Sequence, residues 1–220
     1  MSEKLVIFDC DGVLVDSEFL ANKVFVEMMS NHGYSISLED SIRKFTGISE
    51  EACREIVLKE SGIDLPVDFW SSQSLQDVYK TELMPLLQPV LEILDQNKIS
   101  RCVASNSVRS HVIHCLTHTQ QLKFFNEGAI FSAQQVQKPK PAPDLFALAA
   151  KEMKVDPKNC IVIEDSLIGA QAAIAAGMRV LMFLGGSHAQ YSFYRDRVGG
   201  LGMPMYMNCE ELSKAIKDFM

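Results

Sequence analysis

The stretch LVIFDCDGVLVDS, Leu5–Ser17, runs from four apolar residues straight into Asp9 and Asp11, with Asp16 a few residues on. A short continuous apolar run rich in β-branched residues reads as a strand buried on both faces. The question is why such a strand ends among carboxylates. Asp9 and Asp11 are two apart, so in extended backbone they point to the same side. Gly12 then permits a sharp turn. Two carboxylates held this close repel, and both stay ionised only beside a cation. A hard divalent ion with oxygen ligands fits, most simply Mg²⁺. The other reading is a turn followed by a helix cap, where Asp and Gly are common.

Similar runs follow in SRCVAS (100–105), NCIVIE (159–164) and MRVLMF (178–183), with a weaker one in GAIFSA (128–133). Helical patterns lie between them. VRSHVIHCLTH places Val108, Val112, Ile113 and Leu116 on one face. PDLFALAAKEMKV opens on Pro143 and Asp144, good first-turn residues. SLIGAQAAIAAG opens on a Ser166 cap and closes at Gly177. Strands alternating with helices predict a Rossmann-like three-layer α/β core built on a parallel sheet.

Residues 17–85 break this rhythm. SEFLANKVFVEMMSNHG carries Leu20, Val24 and Met28 at spacing four, with Gly33 at its end. SLEDSIRKF, SEEACREIVLKESG and SSQSLQDVYKTEL are further amphipathic pieces, and no strand pattern stands out. The expected organisation is a core of residues 1–16 and 86–220 with an all-helical insertion, 17–85, that returns near Pro85 and Pro89. The aspartates then sit beyond the carboxyl ends of strands, where open α/β sheets place their sites.

Three more segments end strands with polar groups. VIEDS brings Glu164 and Asp165, either further metal ligands or caps of the next helix, though Ser166 already serves as a cap. VASNS brings Ser105 and Asn106, which suit a phosphate at a helix start and equally suit plain capping. KPKPAPD holds Lys138 and Lys140 in a turn stiffened by three prolines, so presenting a lysine there loses little entropy. Taken singly, either lysine reads as a solvated loop residue.

The four pieces DCDGVLVDS, ASNS, KPKPAPD and VIEDS, in that order, resemble the motifs of the haloacid dehalogenase superfamily, in the branch with a helical cap between the first two. The resemblance spans nearly the whole chain. It implies that Asp9 is a nucleophile forming an aspartyl-phosphate, and that Asp11 is the general acid and then base. It implies Mg²⁺ held by Asp9, Asp165, Glu164 and the backbone carbonyl of Asp11. Ser105 and Asn106 match the phosphate-binding segment, and Lys140 the motif lysine, with Lys138 the lesser candidate. Dehalogenases of the family lack a carboxylate at the position of Asp11, so a phosphate substrate is favoured.

Within the family the chain looks most like the sugar-phosphate branch: β-phosphoglucomutase and the phosphoglycolate and 6-phosphogluconate phosphatases. RKFTGISEE matches the cap loop that faces the site, and Arg43 and Lys44 are candidate contacts to the anionic end of the substrate, or else solvated charges. The mutase has a histidine where Ala21 stands and an arginine where Glu50 stands; both changes favour hydrolysis, since a carboxylate repels a bisphosphate. The expected function is a phosphatase for a small phosphorylated metabolite such as 6-phosphogluconate. A phosphomutase and, from a different class, a phospho-aspartate receiver are the alternatives.

A net charge of −7 speaks against a nucleic-acid partner. No apolar run reaches the roughly 18 residues of a membrane span, and the N-terminus has no signal-peptide core. Cys10, Cys53, Cys102, Cys115, Cys160 and Cys209 form no C-x-x-C pair and read as reduced, buried thiols of a cytoplasmic protein, a monomer or small homo-oligomer. The remaining segments carry less. His111, His114 and His118 read as a polar helical face, and FLGGSH as a flexible loop that brings Gly185, Gly186 and His188 to the sheet edge. Met203, Met205 and Met207 read as strand or loop, and Tyr191, Phe193 and Tyr194 as local packing.

Overall fold

The computed structural model describes residues 3–48, 50–66 and 73–220. Its sheet holds β1 (Leu5–Phe8), β2 (Ser100–Ser105), β3 (Ile130–Ser132), β4 (Cys160–Glu164), β5 (Arg179–Phe183) and β6 (Met205–Tyr206). The strand order is β3-β2-β1-β4-β5-β6, and every pairing is parallel. β1 is therefore central, flanked by β2 and β4, and the order reverses there. That reversal opens a crevice beyond the carboxyl ends of these three strands.

The side-chain alternation of β1 explains its unbroken apolar run. Val6 and Phe8 enter one core cluster, Leu5 and Ile7 the opposite one. On the first face lie α5 (Gln88–Gln96), α6 (Arg109–His118) and α10 (Cys209–Phe219). On the other lie α7 (Asp144–Glu152), α8 (Leu167–Ala175) and α9 (Ser192–Gly199). The ends of α8 follow the local chemistry: the Ser166 hydroxyl accepts from Gly169 N–H, and Gly177 takes φ +75° just past the last turn. Val108 departs from its expected place: it precedes α6 and is exposed, while Cys115 joins Val112 and Leu116 in the core.

The insertion is helical where described: α1 (Ser17–Asn31), α2 (Leu38–Phe45), α3 (Glu50–Ser61) and α4 (Gln73–Glu82). Ser71 and Ser72, at the start of SSQSLQDVYKTEL, lie outside the described residues, as do Ser49 and the side chain of Glu50. Phe25 and Met29 of α1, Phe45 of α2, and Cys53 and Val57 of α3 form a third cluster with Leu65. Asn22, buried on α1, ties it to α2, donating to Thr46 Oγ1 at 3.0 Å and accepting from the Ser41 hydroxyl at 2.7 Å. The outgoing and returning segments run side by side: Asp16 N–H donates to Met84 O and Leu86 N–H to Leu14 O. The Asp16 carboxylate accepts from the backbone and hydroxyl of Ser187, fixing the loop after β5 to the same place.

Phe25 is fully buried with its ring centroid 4.9 Å from that of Phe45. Phe25→Ala should lower stability by about 3–5 kcal/mol in urea unfolding; a change below about 1 kcal/mol would show that this cluster does not hold the insertion together.

Candidate active site

β1, β2 and β4 deliver Asp9, Ser105 and Glu164–Asp165 to the crevice, and the proline-rich turn delivers Lys140. Lys140 Nζ lies 2.9 Å from Asp9 Oδ1 and 2.7 Å from Glu164 Oε1, and its side chain is only 2% exposed. Asn106 orients it through the backbone: its amide donates to Lys140 O and its oxygen accepts from Lys140 N–H, both at 3.1 Å. Asn106 thus holds the lysine in place with both ends of its side-chain amide. The hydroxyl of Ser105 accepts from Ser107 N–H at 3.1 Å, leaving its own O–H free to donate. Lys138 is exposed.

Glu164 is equally committed. Its second oxygen accepts from the backbone N–H groups of Asp165 and Ser166 and from the Ser166 hydroxyl. The carboxylate fits only because residue 169, on the first turn of α8, is glycine: a Cβ there would lie 1.8 Å from Glu164 Oε1. Gly12 is constrained in the same way. Its φ is +77°, and a Cβ would meet Asp165 Oδ2 at 2.1 Å and His188 Cε1 at 2.9 Å.

Ligand oxygens of Asp9, Glu164 and Asp165 lie within 4.8 Å of one another, and all three residues are buried. Three carboxylates against one ammonium leave excess negative charge among largely buried side chains. Burial pushes the Asp9 carboxyl well up, with Lys140 opposing and Glu164 and Asp165 adding to the rise. Burial, then the neighbouring Glu164, do the same to Asp165. Burial would pull the Lys140 ammonium down, but Asp9 and Glu164 outweigh it and keep the charge. Oxygen donors carrying uncompensated charge are the chemistry of a hard divalent cation, so the residues fit Mg²⁺.

Asp11 departs from the expected side-by-side arrangement. The chain leaves its extended course at Asp9 and curls, with the N–H groups of Val13, Leu14 and Val15 all donating to Cys10 O. The Asp11 carboxylate therefore faces α6. It accepts from Ser17 Oγ and Ser107 Oγ, both at 2.7 Å, and its Oδ1 lies 3.0 Å from His111 Nε2. Burial would pull the His111 imidazole down, but the Asp11 charge and hydrogen bond outweigh it and raise it to about 11. Burial likewise would raise Asp11, and His111 with the two serines overcomes it, leaving the carboxyl well below its ordinary range.

His111 is thus not part of a solvated face. Its distance from Asp11 in the chain hid it, although its place two turns or less from ASNS was a usable signal. His188 also departs from the expected arrangement. FLGGSH is no free loop: Ser187–Gln190 form a 3₁₀ turn, and His188 is fully buried with Nε2 2.9 Å from Asp165 Oδ2. Its ring stands edge-on to Tyr194, and burial lowers its pKa. Arg43 and Lys44 are engaged on the surface. Arg43 pairs with Glu39 at 2.9 Å and stacks on Phe193, and Lys44 pairs with Glu60 at 2.7 Å. The segment that carries them still reaches the core, since Arg197 donates to the carbonyls of Arg43 and Thr46.

Residues 6–183 match the family model of haloacid dehalogenase-like hydrolases. The chain belongs to that family. It is 33% identical over 190 residues, 83% of each chain, to the 6-phosphogluconate phosphatase of Escherichia coli (strain K12). Its fold follows a conserved haloacid dehalogenase-like protein of Agrobacterium tumefaciens with a TM-score of 0.84 and 32% identity, over 99% of both chains. A hydrolase of the family from Deinococcus radiodurans, whose structure carries bound phosphate and sodium, matches with a TM-score of 0.78 and 25% identity over 99% of this chain and 96% of that one.

Gly169→Ala should force Glu164 out of its seat and misplace Lys140. We expect kcat to fall on the order of a hundredfold, while Gly128→Ala, where nothing lies within 4 Å, leaves it unchanged; equal activities would refute the packing argument. A second prediction concerns Glu18 on α1. Burial pushes its carboxyl up to about 8, with His188 opposing. Below that pH it is neutral; above it, it adds a negative charge near Asp165 and Asp11. KM for an anionic substrate should therefore climb as pH passes about 8, and Glu18→Gln should flatten the climb.

Proposed function

We propose that the protein is a Mg²⁺-dependent phosphatase that hydrolyses a small sugar phosphate or sugar-acid phosphate through an aspartyl-phosphate on Asp9. The observation that carries this reading is the convergence of Asp9, Glu164, Asp165 and Lys140 at the carboxyl ends of β1 and β4. Asp9 and Asp165, with Glu164 beside them and the Asp11 carbonyl, would hold the metal. When bound, Mg²⁺ neutralises charge on the phosphoryl oxygens and on the carboxylates around them.

The chain's own residues supply the rest. Asp9 Oδ attacks phosphorus as the bond from phosphorus to the ester oxygen breaks. Lys140, kept charged by its two carboxylates, pairs with a phosphoryl oxygen and fixes the nucleophile. Ser105 donates its free hydroxyl to a second oxygen. Asp11 passes a proton to the departing alcohol, drawing on the proton held at His111 Nε2. A water then attacks the phosphorus of the aspartyl-phosphate. Asp11 takes a proton from that water, and phosphate leaves with Asp9 restored.

Residues 17–85 act as the cap over this site, and the substrate is read there. The relative named as a 6-phosphogluconate phosphatase supports a sugar-acid phosphate. Hydrolysis is favoured over phosphoryl migration because Ala21, on the cap's first helix, has only a methyl group and packs against the core cluster. Such an enzyme works in the cytoplasm as a monomer or small homo-oligomer. Among the described residues no helix is long and apolar enough to cross a membrane.

The test is a panel of 6-phosphogluconate, phosphoglycolate and hexose monophosphates, scored by kcat/KM with and without Mg²⁺. We expect phosphate release that chelation abolishes and Mg²⁺ restores, with Asp9→Asn inactive by at least about a thousandfold. Full activity in Asp9→Asn, or isomerised sugar phosphate without phosphate release, would overturn the reading.

A further inference from the structure

The donors around Asp11 form a constellation of a different character from the carboxylates around Asp9. Ligand atoms of Asp11, His111 and Cys115 lie within 4.8 Å of one another. His111 and Cys115 are four apart on α6, so one rigid helix presents both, stacked on the same side. Asp11 enters from the loop after β1. One nitrogen, His111 Nε2, is the meeting point: it lies 3.0 Å from Asp11 Oδ1 and 3.5 Å from Cys115 Sγ. Ligands bonded tetrahedrally to zinc at its usual N, O and S distances are separated by roughly 3.3–3.7 Å. Two of the three separations therefore lie within about 0.3 Å of the spacing zinc requires, and the third is within 4.8 Å.

We propose that Asp11, His111 and Cys115 form a second metal site, selective for Zn²⁺, whose occupation silences the enzyme. Thiolate and imidazole donors select zinc and bind Mg²⁺ poorly, whereas the oxygen cluster at Asp9 does the reverse. The two sites thus sort two metals within one crevice. The outer contacts are in place. Ser17 and Ser107 hydroxyls hold the Asp11 carboxylate, as partners of a ligating carboxylate do in metal sites. Tyr79 of the insertion covers the imidazole, with ring centroids 5.7 Å apart. Cys115 is buried, while the side chains of His111 and Asp11 remain 19% and 16% exposed. An ion would enter past these two partly exposed side chains, and water would complete its coordination. Zinc would replace the protons of His111 Nε2 and the Cys115 thiol, and would bind the carboxylate that otherwise carries protons to and from the substrate.

The silencing rests on the phosphatase reading; binding does not. The full-length protein is titrated with Co²⁺ as an optical substitute for zinc, and the zinc-loaded protein is examined by X-ray absorption. We expect a thiolate-to-cobalt charge-transfer band, and one sulfur neighbour of zinc at about 2.3 Å. Cys115→Ser and Cys115→Ala should lose the band. With Mg²⁺ saturating, zinc should inhibit the wild type, and further Mg²⁺ should not relieve it. Both variants should keep basal activity and need about tenfold more zinc. No sulfur neighbour, a band that survives in both variants, or zinc inhibition that Mg²⁺ reverses would overturn the proposal. The X-ray measurement needs only wild-type protein, so it decides even where a variant misfolds. If the protein has no phosphatase activity, the optical and X-ray readouts still test the site.

Discussion

The buried ammonium of Lys140, set between Asp9 and Glu164, is the interaction around which the crevice is organised. An isolated charge in this place would be driven to neutrality, and so would any of the three carboxylates alone. Lys140 keeps its charge because Asp9 and Glu164 flank it, and its ammonium opposes the rise that burial and the neighbouring carboxylates impose on Asp9 and Asp165. Much of the local architecture serves that arrangement. Asn106 grips the lysine by its backbone, Gly169 gives up its side chain to admit Glu164, and the N–H groups of Asp165 and Ser166, just before α8, occupy the remaining Glu164 oxygen. Removing one partner of a buried ion pair strands the other, which is why such residues come as a set.

A division of labour follows between the two aspartates that open the motif. Asp9 stays with the sheet and the charge cluster. Asp11, displaced by the curl around Cys10 O, belongs to α6 and the first turn of α1. In the proposed reaction, the group that would bond to phosphorus and the group that would carry protons are thus held by different elements. Each can be tuned by its own neighbours: Lys140 for one, His111 for the other.

How much of this was legible in the chain depends on how far apart the partners lie. β1 announced itself because alternate residues of one short run must enter two cores. Asp9, Ser105, Glu164 and Asp165 followed, since strand ends of a parallel sheet share one edge. Lys140 was preferred to Lys138 through the family motif; burial then separates them. What stayed hidden were contacts that depend on three-dimensional placement. His111 meets Asp11 across a hundred residues. The need for glycine at 169 lies in a side chain on the preceding strand. The clamp of Asn106 on the Lys140 backbone was not foreseen, because caps, phosphate contacts and clamps use the same side chain. His188 was masked by glycines that suggest freedom, whereas Asp16 and the buried ring itself pin that turn.

The side-by-side departure and return of the chain at Leu14–Asp16 and Met84–Leu86 has a further consequence. An antiparallel bridge joins Val15 to Pro85, so the two ends of the insertion stand about one strand spacing, roughly 4.8 Å, apart. A two-residue hairpin could close that gap. The helical segment is in this sense hung from a narrow neck: its length can change without stretching the sheet, provided that Ser17, at the neck itself, keeps its hydroxyl on Asp11.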